Sequence, residues 1–171
     1  MTPEERKRDF QSLVSDISQN AVAQGELLTD LTYPGTLRYT AKVKGYGVKN
    51  DQGIYFDLPG VPQEFVSASS SYRQRALLIS QENKARSTWK VTLPGGLKPI
   101  IQPENLDWAG PGTFGSILFH GSASQQNGNT VLEYSLDLET KPVIVPTGNY
   151  KDLLDLNRHF SHPSARRVLL E

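Results

Sequence analysis

The feature that most constrains the fold of this chain is an Asn-Gly pair, Asn127-Gly128, with a run of alternating apolar and polar residues on each side. Both residues tolerate positive φ, which a tight turn between antiparallel strands requires, so Asn-Gly is the strongest short-range hairpin signal. In the run after the turn, one face is apolar and consists of Leu132, Tyr134, Leu136 and Leu138. The sequence therefore predicts a β-hairpin formed by strands within residues 114–122 and 130–139.

The same two-residue period marks several other segments as strands. They are residues 37–43, 54–58, 73–80 and 86–93, followed by shorter extended runs at 97–102 and 142–145. Runs of strands with helices only near the chain ends are typical of antiparallel sheets rather than of βαβ units. The predicted fold is mainly β: an antiparallel β-sandwich with an N-terminal helix and a C-terminal helix. We also expect residues 37–43 and 54–58 to pair as a hairpin.

Capping signals mark the start of both helices. Thr2, Pro3 and Glu5 form a capping box with proline at the first helical position. The apolar stripe that follows consists of Phe10, Leu13, Val14 and Ile17. This helix is interpreted either as packing on a sheet or as a connection from a preceding domain. A second helix begins at Thr147 or Asn149, and its predicted apolar face consists of Tyr150, Leu153, Leu154 and Phe160. Residues 168–170 either return as a short strand or trail off.

These elements predict two parts in the chain. Residues 1–24 form a connecting helix and residues 25–171 form the β-sandwich domain. The loop at 59–71 is rich in proline, glycine and serine, and it could link two halves of the sandwich or two sublobes.

Composition excludes several classes of function. Eighteen basic residues balance 18 acidic ones, so the chain lacks the basic footprint that nucleic acid binding requires. There is no cysteine, which excludes a disulfide framework, a thiolate zinc site and a cysteine nucleophile. Apolar runs reach only three or four residues, far short of the roughly 20 that cross a membrane. We therefore predict no membrane insertion and no signal peptide, and no residue pattern indicates a cofactor.

The candidate catalytic and metal-binding residues are few. Ser116 and His120 lie four apart on one predicted strand and so share a face, but they lack the turn geometry of a serine hydrolase. His159 and His162 could bind metal only as neighbours on a helix, and Pro163 indicates that His162 lies beyond the helix end. We interpret all four as structural or solvent-exposed side chains.

Aromatic residues in or next to loops are the better candidates for binding. Such rings either stack on sugars and anchor protein partners, or plug the ends of a sandwich. The rings in question are those of Tyr33, Tyr46, Tyr72 and Trp108. The predicted interaction residues are Trp108, Tyr46, Tyr72 and Arg75, and the turn at Asn127 and Gly128 is a further exposed candidate. No catalytic or metal-binding residue is predicted.

Read along its length, the chain resembles the C-terminal β-domain that follows the transglutaminase-like domain in a class of bacterial multidomain proteins. The similar segments are the helix leading into strand 37–43, GIYFDLP (53–59), YRQRALL (72–78), VTLPGGLK (91–98), Phe114-Gly115, and the closing residues 145–166. The resemblance implies an envelope or periplasmic setting and places any Cys-His-Asp chemistry in the preceding papain-like domain. It assigns no catalytic residue to this chain.

Three functions follow as hypotheses. The first is a non-catalytic accessory domain that packs on or assists a neighbouring transglutaminase-like domain, or recognises a protein partner for it. This hypothesis predicts an exposed apolar or aromatic patch beside the N-terminal helix. The second is a carbohydrate- or peptide-binding sandwich with the loop aromatics as its platform. The third is a hydrolase, which would need a cleft where polar groups converge on Ser116 and His120 or on an acid pair.

Overall fold

The structure is a computed structural model that describes residues 2–32, 36–68, 73–110 and 115–171. The fold is mainly β, with antiparallel sheets, an N-terminal helix and a C-terminal helix, as predicted. The chain divides into two compact units, the N-terminal unit Met1–Val48 and the C-terminal unit Lys49–Glu171. The boundary predicted from sequence, after residue 24, lies earlier than this division. The reason is that the first helix shares its hydrophobic core with the two strands that follow it.

The N-terminal unit consists of helix α1 (Pro3–Ser15) and strands β1 (Ala21–Asp30) and β2 (Thr36–Val43), which pair antiparallel as a ribbon. The capping box is confirmed: the Thr2 hydroxyl accepts from the Glu5 N–H at 3.2 Å, and the Glu5 carboxylate accepts from the Thr2 N–H at 2.6 Å. Phe10, Val14 and Ala21 form the buried centre of the unit. Partly buried residues of the ribbon pack around them, namely Ala23, Leu27, Ala41 and Val43. Helix α1 therefore packs on a sheet, and its role as a connection from a preceding domain stays a prediction.

Strand β3 (Val48–Asn50) begins at the last residue of the N-terminal unit. The described strands that follow it in the C-terminal unit are β4 (Gly53–Asp57), β5 (Leu77–Ile79), β6 (Asn83–Leu93), β7 (Pro99–Ile101), β8 (Leu106–Ala109), β9 (Gly115–Gln126), β10 (Asn129–Thr140), β11 (Val143–Val145) and β12 (Arg167–Leu170). Helix α2 (Tyr150–Ser161) lies between β11 and β12. The strands form sheets in the orders β6-β10-β9-β8, β11-β5 and β3-β4-β12-β7. That these sheets stack as a sandwich stays a prediction.

The predicted Asn-Gly hairpin is confirmed. Strands β9 and β10 pair from Asn129 opposite Gln126 to Thr140 opposite Gly115 without a register shift. Asn127 has φ 52° and Gly128 has φ 79°, the positive values that this turn requires. The predicted apolar face of β10 is buried, with Leu132 at 0% exposure. This hairpin is the centre of the four-stranded sheet β6-β10-β9-β8.

The predicted hairpin between residues 37–43 and 54–58 is wrong. Strand β2 pairs with β1, whereas β4 lies between β3 and β12. Burial explains the difference, because pairing with β4 carries Val168 and Leu170 of β12 into the core at 0% and 3% exposure. A contact between strands about 110 residues apart thus replaces the local one.

Two smaller differences concern the segment at 103–113 and the face of α2. The segment at 103–113 was predicted as a loop, but it contains strand β8, which pairs with β9. In α2 the fourth buried side chain is Leu156, where the sequence pattern predicted Leu154. Positions 150, 153, 156 and 160 follow the helical spacing more closely, and so they line the face that meets the core.

The loop at 59–71 is part of the C-terminal core over its described residues. Val61 and Phe65 are each 7% exposed. The Asn157 side chain on α2 accepts from the Phe65 N–H at 2.7 Å and donates to the Val66 carbonyl at 2.8 Å. The loop is therefore fixed to α2 by hydrogen bonds that span more than 90 residues.

Candidate functional site

The outer face of the four-stranded sheet β6-β10-β9-β8 carries the largest group of polar side chains. Because side chains alternate across a strand, burial of one face of β10 leaves the intervening residues on the other face. On β10 these are Glu133, Ser135, Asp137 and Glu139. We use the name outer face for this side of the whole sheet, including the side chains of β6, β9 and β8 that point to the same side.

Salt bridges join β6 to β10 across the outer face. Lys84 lies opposite Glu139, Arg86 opposite Asp137 and Lys90 opposite Glu133. The corresponding nitrogen–oxygen distances are 3.3 Å, 3.3 Å and 3.2 Å. The hydrogen bond from Lys84 lowers the pKa of Glu139. Glu82 and Glu139 together raise the pKa of Lys84. In each of these rows a cation on β6 meets an anion on β10.

A shallow depression with a volume of about 560 Å³ lies in the middle of the outer face. Its polar lining consists of Thr88, Lys90, His120, Ser122, Glu133 and Ser135. Hydroxyl, imidazole and charged groups can donate and accept hydrogen bonds, so the surface is suited to polar contacts. On the described part of this face there is no Phe, Tyr or Trp side chain, and the imidazole of His120 is the one ring. A sugar bound here would therefore meet mainly polar groups.

Ser116 and His120 both lie on the outer face, as predicted, but they do not approach each other. Ser116 is opposite Glu139 and His120 is opposite Ser135, with Leu118 between them on β9. Four residues of strand separate two side chains by about 13 Å. A serine nucleophile needs its base within about 3 Å, so this pair cannot act together.

The core face of the same sheet holds three packed aromatic rings. Tyr134 stacks on Phe119 with ring centroids 6.0 Å apart, and Trp89 lies 6.4 Å from Phe119. The Tyr134 hydroxyl donates to Gln102 at 2.9 Å, and the Trp89 indole N–H donates to the Pro59 carbonyl at 2.8 Å. Burial raises the pKa of Tyr134 to about 12. These rings stabilise the core and are not a binding platform.

The predicted interaction residues lie in different surroundings. Trp108 is on β8, half-buried, with its ring edge-on to Phe65 at 5.4 Å. Tyr46 is half-buried between β2 and β3 and belongs to the N-terminal unit. Arg75 is exposed in a bend before β5. Tyr72, like Tyr33, lies outside the described residues. Their role in binding stays a prediction.

The two remaining histidines lie at the end of α2. His159 packs edge-on to Phe160 at 5.9 Å, and the ring of His162 lies 2.7 Å from the Ser164 hydroxyl. In the described part of the chain, no three His, Cys, Asp or Glu residues cluster as a metal site would require. Nor is any of the described helices long and apolar enough to cross a membrane.

The ribbon of the N-terminal unit presents a second candidate surface. On the side away from α1, which we call the open face, Val22 is paired with Lys42 and Leu28 with Arg38. Val22 is 58% exposed and Leu28 is 60% exposed. Leu31, just after β1, is 88% exposed. Leu37 is 53% exposed but lies on the α1 side of the ribbon, because it alternates with Arg38 and shares the side of Tyr39, whose ring contacts Phe10. The ribbon thus combines exposed apolar side chains with two cations.

An apolar patch beside the N-terminal helix was predicted from the sequence without naming its residues, and the salt-bridged residues of the outer face were not predicted as a site, although their signals were present. The alternation on strand β10 marks Glu133 and Asp137 as solvent-facing, and the same period on β6 marks Lys90. Which acid faces which base depends on the strand register. The β1 segment was not predicted as a strand, so the residues of the open face were not identified from the sequence.

No family model, no curated protein and no solved structure matches this chain. The resemblance to a domain that follows transglutaminase-like domains therefore stays a prediction.

Proposed function

We propose that this chain is a non-catalytic interaction domain that packs on a neighbouring transglutaminase-like, papain-fold domain and assists it. The observation behind the proposal is the apolar part of the open face, where Val22 and Leu28 are each more than half exposed. A patch beside the N-terminal helix is what an accessory role predicts. The envelope or periplasmic setting implied by the resemblance belongs to the same proposal.

The hydrophobic core of the N-terminal unit is small, so a partner that covered its exposed apolar residues would stabilise it. Among its described residues only three hydrophobic side chains, Phe10, Val14 and Ala21, are buried. A two-stranded ribbon is marginally stable by itself, and a unit of fewer than about 50 residues buries too little surface to offset its conformational entropy. A partner that covered the open face would bury further apolar area at about 25 cal/mol per Å².

The residues of the open face indicate which residues the contacting surface of the partner should carry. Arg38 and Lys42 lie beside the exposed apolar residues of the ribbon. Interface cores are apolar and their rims are polar, with charges complementary across the contact. The matching surface on the transglutaminase-like domain should therefore be apolar with acidic residues at its rim.

The polar outer face supports the non-catalytic part of the proposal. Its cations on β6 each lie against a carboxylate on β10, and Ser116 and His120 are too far apart to form a nucleophile–base pair. A serine hydrolase requires the nucleophile, its base and the group that orients the base within hydrogen-bonding reach of one another.

The test is a binding titration between the 171-residue chain and a transglutaminase-like domain encoded in the same genome. Val22→Asp/Leu28→Asp places charge on the open face at two positions that are 58% and 60% exposed, so the fold should be kept. Leu78→Asp/Ile144→Asp is the matched control, because these two residues on β5 and β11 are 65% and 63% exposed. We expect the ribbon variant to weaken binding at least about tenfold and the control to bind like the wild type. Absence of binding by the wild type, or equal affinity of both variants, would refute the proposal.

A further inference from the structure

Strand β6 is a long edge strand. It runs for 11 residues, Asn83–Leu93, and pairs with β10 along its whole length without a register shift. On its other side no strand is paired with it within the described ranges. An edge of this kind exposes main-chain N–H and C=O groups to which a further extended strand can pair.

The cations of β6 select the charge of an added strand. Lys84, Arg86 and Lys90 have side chains that are 65%, 75% and 61% exposed even though each contacts a carboxylate of β10. In each of these cross-strand pairs, the negative charge therefore lies on β10 and the positive charge lies on β6, at the edge of the sheet. Directly opposed unlike charges stabilise neighbouring strands and like charges destabilise them. A strand added beside β6 would continue this alternation of charge across the sheet if it carried acidic residues opposite Lys84, Arg86 and Lys90.

The core-facing side of β6 selects apolar residues at the alternate positions. Trp89 and Val91 are only half-buried, because β6 has a neighbour on one side only. The Trp89 ring is held in place by its bond to the Pro59 carbonyl and by Phe119. Apolar side chains of an added strand would pack beside Trp89 and Val91 and remove them from water.

From these three observations we infer that the β6 edge binds an extended polypeptide segment in which acidic and apolar residues alternate, by adding it as a fifth strand. This binding site lies beyond the proposed function, which rests on the N-terminal ribbon. A second copy of the chain is a poor occupant, because symmetric pairing of β6 with β6 sets the same three cations beside one another. The cations that discourage self-pairing thus favour an acidic partner.

Amide hydrogen exchange of the 171-residue chain tests the inference directly. In the free protein, alternate amides of β6 should be protected by β10 and those between them should exchange fast. A capped heptapeptide of alternating valine and glutamate should slow the fast set at least about tenfold at saturation. A valine–lysine heptapeptide should leave it unchanged. Protection of both sets in the free protein, or equal effects of the two peptides, would overturn the inference, as would self-association that protects the edge.

Charge removal tests the role of the cations. Arg86→Gln/Lys90→Gln should weaken binding of the valine–glutamate peptide about three- to thirtyfold, since each exposed ion pair contributes a small term. Lys151→Gln/Arg158→Gln is the matched control on α2, where Arg158 forms an exposed salt bridge with Asp155 at 2.7 Å. Unchanged affinity in the β6 variant would contradict the inference. Val22→Asp/Leu28→Asp should bind the peptide normally, so this inference and the proposed function can fail separately.

Discussion

Among single residues, Gly121 on β9 lies directly opposite the ring of Tyr134 on β10, with no room for a side chain. A Cβ atom at position 121 would lie 2.7 Å from two carbons of the Tyr134 ring. The ring cannot easily move, because it stacks on Phe119 and its hydroxyl is bonded to Gln102. Glycine is thus needed here for space, and the tyrosine ring covers the gap that it leaves.

We expect Gly121→Ala to destabilise the protein by about 1–3 kcal/mol, the usual cost of forcing extra volume into a packed core. Urea denaturation measures the change in unfolding free energy. Ser122→Ala, at the next and exposed position on β9, is the control and should change it by less than about 0.5 kcal/mol. A Gly121→Ala variant as stable as the wild type would show that the ring shifts freely.

At the scale of elements, Asn157 decides how helix α2 docks on the loop after β4. Its side chain oxygen accepts from the Phe65 and Val66 N–H groups at 2.7 and 3.4 Å, and its side chain nitrogen donates to the Val66 carbonyl. One side chain thereby satisfies backbone groups of a loop whose Phe65 is buried. Without it, these groups would be left partly buried and unpaired, which costs more than the bonds themselves contribute.

Asn157→Ala should accordingly lower the unfolding free energy by about 2–3 kcal/mol. Asn157→Asp retains the acceptor but sets a carboxylate oxygen against the Val66 carbonyl, so we expect it to be no more stable than the alanine variant. Arg158→Ala removes only an exposed ion pair and should cost less than about 1 kcal/mol. Thermal or urea unfolding of the three variants gives the comparison, and equal losses at positions 157 and 158 would contradict it.

The elements also differ in how far the sequence predicted them. The β9–β10 hairpin and the capping box of α1 depend on residues within a few positions of each other, and both were predicted. The pairing of β4 was not, because its partner β12 lies about 110 residues away and is selected by burial of Val168. Strand β8 was missed because its short segment follows a proline and lacks a strong alternation.

At the scale of the whole molecule, the two compact units differ in the size of their cores. The N-terminal unit buries three hydrophobic side chains among its described residues, whereas the described part of the C-terminal unit buries 21. Local stability follows buried apolar contacts, so the two units should open with different free energies.

Native-state hydrogen exchange should show this difference. We expect the slowest amides of β1 and β2 to open at least about 2 kcal/mol more easily than those of β9 and β10. Binding of a partner to the open face should reduce the gap, because ligands stabilise the state that they bind. Equal opening free energies in both units would mean that the chain unfolds as one cooperative block.

The fold class, the central hairpin, the start of the first helix and the solvent-facing residues of β6 and β10 could be predicted from the sequence. The start of the second helix was predicted only as Thr147 or Asn149; the helix begins at Tyr150, and Asn149 makes no side-chain capping hydrogen bond. Periodicity and capping reflect contacts between near neighbours, and such contacts can be recognised without a structure. The pairing of β2 with β1, the contact of Lys84, Arg86 and Lys90 with carboxylates, and, among the described strands, the pairing of β6 with β10 alone became visible only in the folded chain. Those features arise from strand register and long-range burial, where many pairings satisfy the local pattern and packing selects one.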